Sequence, residues 1–270
     1  MKPPKRYNLE IIATGNEILY GRITDTNSPW IARKATESGA SLRRITCIGD
    51  DTQEIAGALR ESMARANNLI ISTGGLGPSQ DDMTIESIGK ALGRNVELNP
   101  KAVEMIQKKC LELGVEPTPR RLRMARMPEG STPLSNSKGM APGMLLQEGS
   151  MKIVALPGIP DEMKAIFQDH VVEIIERETP TKFLAITVGA QIVWKEFFPI
   201  YESLIHDFPE AYIKNKATPP IKADDREKVW EIKVDVVVEA ASRTEAEKIL
   251  TDLLSEFGRR VEAVGGKLLK

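Results

Sequence analysis

Apolar and polar positions along the first half of the chain predict strands that are each followed by a helix. Compact apolar runs at 9–13 and 68–71 predict buried strands, and the alternation at 43–48 predicts another. Segments with apolar residues at helical spacing follow, for example Ile55 and Leu59. This strict alternation of strand and helix predicts a three-layer α/β domain with a mainly parallel sheet.

A change of pattern predicts a second domain. A long predicted helix stops at Glu178, and a new strand pattern begins a few residues later. We therefore divide the chain at Thr179-Pro180 into domains 1–178 and 179–270. The second domain shows a βαββα order interrupted by a polar, proline-bearing loop at 215–227. This order predicts a small α+β domain, with an antiparallel sheet and helices on one face.

The composition is that of an ordinary soluble globular protein. Hydrophobic residues make up 41%, charged residues 28%, and the net charge is −1, so no general attraction to nucleic acid or anionic lipid is expected. No apolar run is long enough to cross a bilayer, and the first residues do not form a signal sequence. We expect a cytoplasmic protein with no membrane partner and no nucleic-acid partner.

The cysteines and histidines do not predict a catalytic or metal site. Cys47 and Cys110 are far apart and lack a paired spacing, so neither a disulfide framework nor a zinc site is indicated. His170 and His206 have no companion at metal-ligand spacing. Any chemistry is therefore expected to depend on carboxylates or on a metal that they hold.

A glycine-rich stretch at 72–84 stands between the strand at 68–71 and a helical pattern. Gly74, Gly75 and Gly77 allow positive φ angles and let a ligand approach the main-chain N–H groups closely. A loop that opens onto a helix N-terminus suits an anion such as phosphate. We interpret this stretch as a phosphate-binding loop.

Two acids, Asp81 and Asp82, follow these glycines. They would repel a phosphate unless a cation lay between them, and Mg²⁺ typically takes one or two carboxylates plus phosphate oxygens. The loop thus predicts a site for phosphate and a divalent metal, expected to be Mg²⁺, with Asp81 and Asp82 as its ligands. The alternative is a glycine-rich turn in which Ser79 and Asp82 only cap the following helix.

Acids also follow the first two predicted strands, Glu17 after the first and Asp50 after the second. Ligands of parallel α/β sheets bind outside the carboxyl ends of the strands, so both acids should lie beside the glycine loop. Asp50 could orient a water molecule, and Glu17 could contact a ribose hydroxyl. The alternative for each acid is capping of the helix that follows it.

Four arginines follow a proline-rich segment, at positions 120, 121, 123 and 126. They predict a solvated face of a short helix, from which one or two could reach a phosphate.

Several motifs, in this order, resemble those of the CinA family. They are Thr14-Gly15-Asn16-Glu17-Ile18-Leu19 with Asp25-Thr26-Asn27, Gly49-Asp50-Asp51, Gly74 to Pro78 with Asp81 to Thr84, Asn136 with Gly139 to Gly143, and Leu156 to Met163. The resemblance implies a molybdopterin-binding-like domain, similar to MogA, MoeA and the pyrophosphatase-like domain of FAD synthases, followed by a small KH-like domain. Leu76 stands where molybdopterin adenylyltransferases usually have threonine, which favours the CinA branch.

The resemblance is limited in the second half of the chain. The amidohydrolase domain of longer CinA proteins is not expected, because the sequence stops at Lys270. The GXXG loop by which KH modules bind nucleic acid is not visible after Ile192, so RNA binding is not predicted.

The CinA resemblance implies a metal-dependent pyrophosphohydrolase that acts on ADP-ribose or a related, FAD-like nucleotide pyrophosphate and releases AMP. The expected catalytic residues are Asp82, Asp81 and Asp50. The expected substrate-binding residues are Gly74, Gly75, Gly77, Thr84, Glu17, Asn27, Gly139, Pro142, Gly143, Pro157 and Gly158. Relatives of this fold imply a homo-oligomer, with a dimer favoured over a trimer.

Two other functions remain open from the sequence. The first is molybdopterin binding and adenylyl transfer in molybdenum-cofactor synthesis, with the same loop holding the molybdopterin phosphate and ATP. The second is a module that binds a nucleotide without turnover, because only acids are available for chemistry at the predicted site.

Overall fold

The computed structural model describes three stretches of the chain, residues 6–179, 182–217 and 226–269. Two compact units are present, the first formed by Arg6–Thr179 and the second by the described residues from 182 onward. The predicted domain boundary at Thr179-Pro180 and the predicted loop at 215–227 fall partly outside the described residues. Within the described stretches, no helix is both long and apolar enough to cross a membrane.

Strands alternate with helices through the first half of the first unit, and four consecutive strands follow. Its strands are β1 (Asn8–Thr14), β2 (Ser41–Ile48), β3 (Leu69–Thr73), β4 (Val96–Leu98), β5 (Arg126–Pro128), β6 (Thr132–Leu134), β7 (Gly143–Glu148) and β8 (Met151–Leu156). Its α-helices are α1 (Asn16–Leu19), α2 (Asn27–Glu37), α3 (Thr52–Ala64), α4 (Thr84–Leu92), α5 (Pro100–Glu112), α6 (Pro119–Leu122), α7 (Pro160–Ile166) and α8 (Val172–Glu178). A 3₁₀ turn at Arg123–Ala125 follows α6, and a π-helical turn at Phe167–Val171 joins α7 to α8.

Six of these strands form one sheet in the order β2-β1-β3-β8-β7-β6. The pairs β2-β1, β1-β3 and β3-β8 are parallel, whereas β7 and β6 continue the sheet in antiparallel fashion. Strands β4 and β5 form a separate two-stranded ribbon. The predicted mainly parallel α/β sheet is confirmed, and its four parallel strands are neighbours.

Both faces of the sheet are covered, as its continuous apolar runs require. Successive side chains of a strand point to opposite faces, so Ile12 and Ile70 pack with α3, α4 and α5, while Ile11 and Ile71 pack with α2, α7 and α8. All four isoleucines are buried, and each core contains helix residues such as Ile106 on the first face. These two cores hold the strand ends in place.

Side chains close in sequence cap the N-termini of several helices. Asp51 caps α3 by accepting the N–H groups of Gln53 and Glu54, at 2.8 and 3.0 Å. Helix α2 begins at Asn27, two residues before Pro29. The side chain of Asp25 accepts the N–H of Ser28 in the first turn of this helix, at 3.0 Å.

The second unit is an antiparallel sheet with two helices. Its elements are β9 (Lys182–Val193), α9 (Trp194–Asp207), β10 (Ala211–Asn215), β11 (Val229–Ala240), α10 (Arg243–Ala263) and β12 (Lys267–Leu269), with sheet order β10-β11-β9-β12. The buried positions of β11 alternate, from Ile232 to Val238, and they pack with α9 and α10. The predicted small antiparallel domain is confirmed, and β12 is an additional short strand.

Candidate functional site

The four parallel strands end level with one another. Thr14 at the end of β1 pairs with Ile48 of β2, and Thr73 at the end of β3 pairs with Ala13 of β1 and with Leu156 of β8. The loops that leave these strands therefore meet at one edge of the sheet. This is where ligands bind in open α/β sheets.

A cleft of ≈ 990 Å³ lies at this edge. Six of its lining residues are acidic, namely Glu17, Asp25, Asp50, Asp81, Asp82 and Glu162, and one, Arg121, is basic. Its apolar walls include Ile18, Ile23, Met124, Met140 and Ile159. The cleft thus combines a strongly acidic lining with apolar walls.

The structure brings most of the predicted site residues together. Those that line the cleft are Gly74, Gly75, Gly77, Asp81, Asp82, Asp50, Glu17, Asn27, Pro157 and Gly158. The predicted substrate-binding residues Thr84, Gly139, Pro142 and Gly143 do not line it. Thr84 is fully buried beneath the glycine loop, Pro142 lines a small neighbouring hollow, and Gly143 packs against Ile166.

The glycine loop has a backbone that other residues would not adopt easily. Gly74 has a φ of +110°, and a β-carbon on it would lie 2.3 Å from the carbonyl oxygen of Thr14. Gly75 has a φ of +64°, and a β-carbon there would lie 2.4 Å from Oγ1 of Thr84. Positive φ and close backbone approach are the conditions that select glycine.

The N–H groups of the loop are not equivalent. The N–H of Gly74 donates to the carbonyl oxygen of Leu156 at 3.0 Å, so it extends the β3-β8 ladder. For Gly75 and Gly77 we find no backbone acceptor in the described part of the chain. Of the three N–H groups expected to contact phosphate, that of Gly74 is therefore already used, and those of Gly75 and Gly77 remain for a ligand.

Asp82 closes the loop on itself and does not cap the helix that follows. Its Oδ2 accepts the N–H of Ser79 at 2.7 Å. Helix α4 has Met83 at its N-cap position, and no side chain accepts a hydrogen bond there. The alternative in which Ser79 and Asp82 cap this helix is therefore wrong. Asp82 is half-buried, whereas Asp81 is exposed.

Asp50 links the loop after β2 to the loop after β1. Its Oδ2 accepts the N–H of Asn16 at 2.9 Å, and its own N–H donates to Oδ1 of Asn16 at 3.2 Å. The helix after Asp50 is capped by Asp51, so the capping alternative considered for Asp50 is wrong for that helix. The carboxylate of Glu17 folds back over Gly15, where a β-carbon would lie 2.7 Å from its Oε1.

Asn27 ties three segments of the cleft floor together. Its Nδ2 donates to Oγ1 of Thr73 at 3.0 Å and to the carbonyl oxygen of Gly158 at 2.8 Å. Thr73 in turn donates to the carbonyl oxygen of Pro157 at 3.0 Å. Both amide hydrogens are therefore used, and the buried Oδ1 has no hydrogen-bond partner among the described residues.

Sequence reasoning did not select three charged residues of the cleft, Asp25, Glu162 and Arg121. Glu162 lies in the first turn of α7, and its Oε2 accepts a hydrogen bond from Nδ2 of Asn136 at 2.6 Å. A β-carbon on Gly139 would lie 2.1 Å from the same oxygen, so this glycine makes room for the carboxylate. Glu162 belongs to a motif noted in the sequence, and Arg121 was one of four arginines that the sequence does not distinguish.

The acids of the cleft fit a divalent cation only when a ligand supplies further oxygens. No group of three or more acidic, histidine or cysteine side chains that could hold a metal is found in the residues described. Mg²⁺ usually takes one or two protein carboxylates and completes its shell with water and phosphate oxygens. Asp81 and Asp82, adjacent and lining the cleft, are consistent with that kind of site.

A mainly parallel α/β sheet with a cleft of this size at its carboxyl edge defines a class of small-molecule-binding α/β domains. The chain belongs to the family described as "Probable molybdopterin binding domain", whose profile matches residues 10–177. The matched range includes all the residues that line the cleft and the four parallel strands except the first two residues of β1.

Relatives and a solved structure support this assignment. A protein of Pyrobaculum arsenaticum is 40% identical over 207 residues, which are 76% of this chain and 78% of that protein. A protein of Sulfurisphaera tokodaii is 35% identical over 259 residues, or 96% and 95% of the two chains. The crystal structure of CinA from Thermoplasma acidophilum is similar, with 38% identity and a TM-score of 0.58 over 63% of this chain and 98% of that one. The resemblance to the CinA family is confirmed.

Proposed function

We propose that this protein is a metal-dependent nucleotide pyrophosphohydrolase that cleaves ADP-ribose or a related, FAD-like pyrophosphate and releases AMP. The observation that carries the proposal is the charge of the cleft, in which six carboxylates and one guanidinium surround a glycine loop. A phosphate ligand would be repelled by this lining unless it entered with a cation. A glycine loop suited to phosphate therefore requires a divalent metal as well.

Asp81 and Asp82 would hold this cation, which we expect to be Mg²⁺. Once bound, a divalent cation neutralises charge on a pyrophosphate and lowers the pKa of a bound water molecule. The protein offers these two adjacent carboxylates, and the remaining positions suit phosphate oxygens and water.

The other residues of the cleft would bind and orient the substrate. The N–H groups of Gly75 and Gly77 would donate to phosphate oxygens. Asp50 would orient the attacking water and accept its proton, since only its Oδ2 is used by Asn16. The water oxygen would form a bond to one phosphorus, and the bridging oxygen would leave with the other phosphate. The carboxylate of Glu17 would accept a hydrogen bond from a ribose hydroxyl.

The size and the apolar walls of the cleft support a substrate with two arms. Ligand pockets commonly measure about 300–1,000 Å³, and the volume of ≈ 990 Å³ lies near the upper end of that range. Ile23 and Ile159 line the cleft and are each 59% exposed, so they offer apolar surface to a nucleobase. A substrate that extends on both sides of a pyrophosphate would use both the loop and these walls.

The test is incubation of the purified full-length protein with Mg²⁺ and a panel of pyrophosphates that includes ADP-ribose and FAD. Release of AMP that is abolished by a chelator is expected. Parallel reactions with molybdopterin and ATP test adenylyl transfer. Calorimetric titration tests binding without turnover. Adenylyl transfer alone, or binding without cleavage, would replace the hydrolase by one of the two functions that the sequence left open.

A further inference from the structure

Arg121 is the single basic residue among those that line the cleft in the described part of the chain. It lies on the short helix α6 and is half-buried. Its neighbour Arg120 is exposed and does not line the cleft, and Arg123 and Arg126 line only the small hollow beside it. The fold therefore distinguishes Arg121 from the other three arginines of the segment 120–126.

The guanidinium of Arg121 keeps most of its donors available. Its Nη1 donates to the carbonyl oxygen of Glu116 at 2.7 Å. We find no ion pair between it and a carboxylate within the described ranges, although Arg126 pairs with Glu86 at 3.0 Å. A guanidinium has several N–H donors in a fixed fork, and one contact to a carbonyl leaves the others for a ligand. Its charge is likewise not neutralised by a neighbouring acid.

The backbone of Arg121 is held in place. Thr118 caps α6 by accepting the N–H of Arg121 at 3.3 Å, and Pro119 occupies the first turn of this helix. This cap holds the backbone of Arg121, and the hydrogen bond to the carbonyl oxygen of Glu116 holds its guanidinium. The side chain is therefore oriented before a ligand binds. Prior orientation reduces the entropy lost on binding.

We propose that Arg121 binds one phosphate group of the substrate by paired hydrogen bonds and that it selects substrates with a pyrophosphate. The inference rests on the proposed function, in which Asp81 and Asp82 hold a cation for the phosphates. A cation and the N–H groups of the glycine loop serve the phosphate nearest to them, and the second phosphate still needs a positive partner in an acidic cleft. Arginine matches phosphate geometry through its planar fork.

The test compares Arg121→Gln with Arg120→Gln, a matched control on the same helix that lies outside the cleft. In hydrolysis of ADP-ribose with saturating Mg²⁺, we expect Arg121→Gln to raise KM by about tenfold to a hundredfold, the usual value of a hydrogen bond to a charged group. The kcat should change little, because this contact is made equally before and during the reaction. Arg121→Lys should be intermediate, since it keeps the charge but loses the fork.

A binding measurement separates failure of this inference from failure of the proposed function. Calorimetric titration compares ADP-ribose with adenosine, which lacks phosphate, in the presence of Mg²⁺. If the wild type binds ADP-ribose without cleaving it, the hydrolase proposal fails, but weaker binding of ADP-ribose by Arg121→Gln still supports the role of Arg121. Equal KM or affinity for Arg121→Gln and Arg120→Gln would overturn the inference while hydrolysis stands. A wild type that binds no ADP-ribose would overturn both.

Discussion

The carboxylate of Asp82 accepts the N–H of Ser79 at 2.7 Å and thereby closes the tip of the glycine loop. A β-carbon on Gly77 would lie 2.6 Å from the same oxygen of Asp82, so the loop leaves room for this carboxylate. Asp82 thus has a fixed position in the cleft, whereas Asp81 next to it is exposed. The two predicted metal ligands should differ in their contribution to activity.

We predict that Asp82→Asn abolishes most metal-dependent hydrolysis and leaves the fold intact. The change removes charge without creating a cavity, and the amide oxygen of asparagine can still accept the N–H of Ser79. Asp81→Asn should be milder, because the exposed carboxylate is less constrained. Release of AMP as a function of Mg²⁺ concentration measures the effect, and thermal unfolding verifies the fold. Full activity of Asp82→Asn would mean that the loop is a structural turn.

The conformation of Gly75 allows a paired substitution. Gly75 and Gly93 have nearly the same φ, +64° and +66°, but a β-carbon meets Oγ1 of Thr84 only at Gly75 and has open space at Gly93. Gly93→Ala should cost about 1–2 kcal/mol for the left-handed backbone alone. Gly75→Ala should cost more and should also weaken binding of ADP-ribose.

Urea denaturation of the two glycine variants, followed by titration with ADP-ribose, measures both effects. An equal loss of stability at the two positions would show that the side chain of Thr84 moves to accommodate the added β-carbon. Unchanged affinity of Gly75→Ala would separate this glycine from the ligand site.

The hydroxyl of Thr84 supports the glycine loop from below. It is fully buried, donates to the carbonyl oxygen of Gly74 at 2.8 Å and lies 3.1 Å from Oγ1 of Thr14. Thr84→Val should cost about 1–3 kcal/mol, because buried polar groups lose their partner. Thr84→Ser should retain most of the stability. Thr36→Val is the control, since its hydroxyl bonds to a carbonyl one turn earlier in α2 and is only partly buried. Denaturant unfolding of all three variants provides the comparison.

The ion pair between Arg65 and the buried carboxylate of Glu10 should give the stability a defined pH dependence. Burial of Glu10 opposes its ionisation, but hydrogen bonds from Arg65, Asn67 and Ser62 outweigh burial and lower its pKa from 4.5 to about 2. A lowered pKa means that the folded state favours the ionised form, so the stabilisation is complete above pH 4.5 and is lost as the pH falls towards 2. It amounts to about 3 kcal/mol.

Glu10→Gln should therefore be clearly less stable than the wild type near pH 7, and the difference should shrink as the pH falls below 4.5. Glu61→Gln is the matched control, because Glu61 contacts the same arginine at 3.7 Å but is 72% exposed. Exposed pairs contribute little, so its unfolding free energy should stay close to that of the wild type. A constant difference between Glu10→Gln and the wild type from pH 7 to pH 3 would contradict the prediction.

Much of the first unit could be predicted from local patterns. The apolar runs at 9–13 and 68–71 became β1 and β3, and the glycine stretch became the loop between β3 and α4. Such signals are local, because strand burial, glycine conformation and helix capping depend on residues close in sequence. The same reasoning placed Asp50, Glu17 and the glycine loop at one edge, since parallel strands bring their carboxyl ends together.

Partners of the individual side chains depended on contacts between distant segments. Asp50 was predicted to serve the following helix or a ligand, yet its partner is Asn16, 34 residues earlier. The pairing arises because β1 and β2 lie side by side with their ends level, which no local pattern specifies. In the same way Asn136 holds Glu162, 26 residues later, at the wall of the cleft.

The sequence by itself determined the class of fold, the glycine loop between β3 and α4, and the acids that follow the first two strands, because each of these follows from residue types within a few positions of one another. Only the tertiary structure decided that β8 joins the parallel strands beside β3, so that Pro157 and Gly158 lie at the cleft. It also decided that Arg121, and none of the three arginines near it, lines that cleft. The four arginines have the same chemistry, and only the packing of α6 against the rest of the unit sets which one reaches the site.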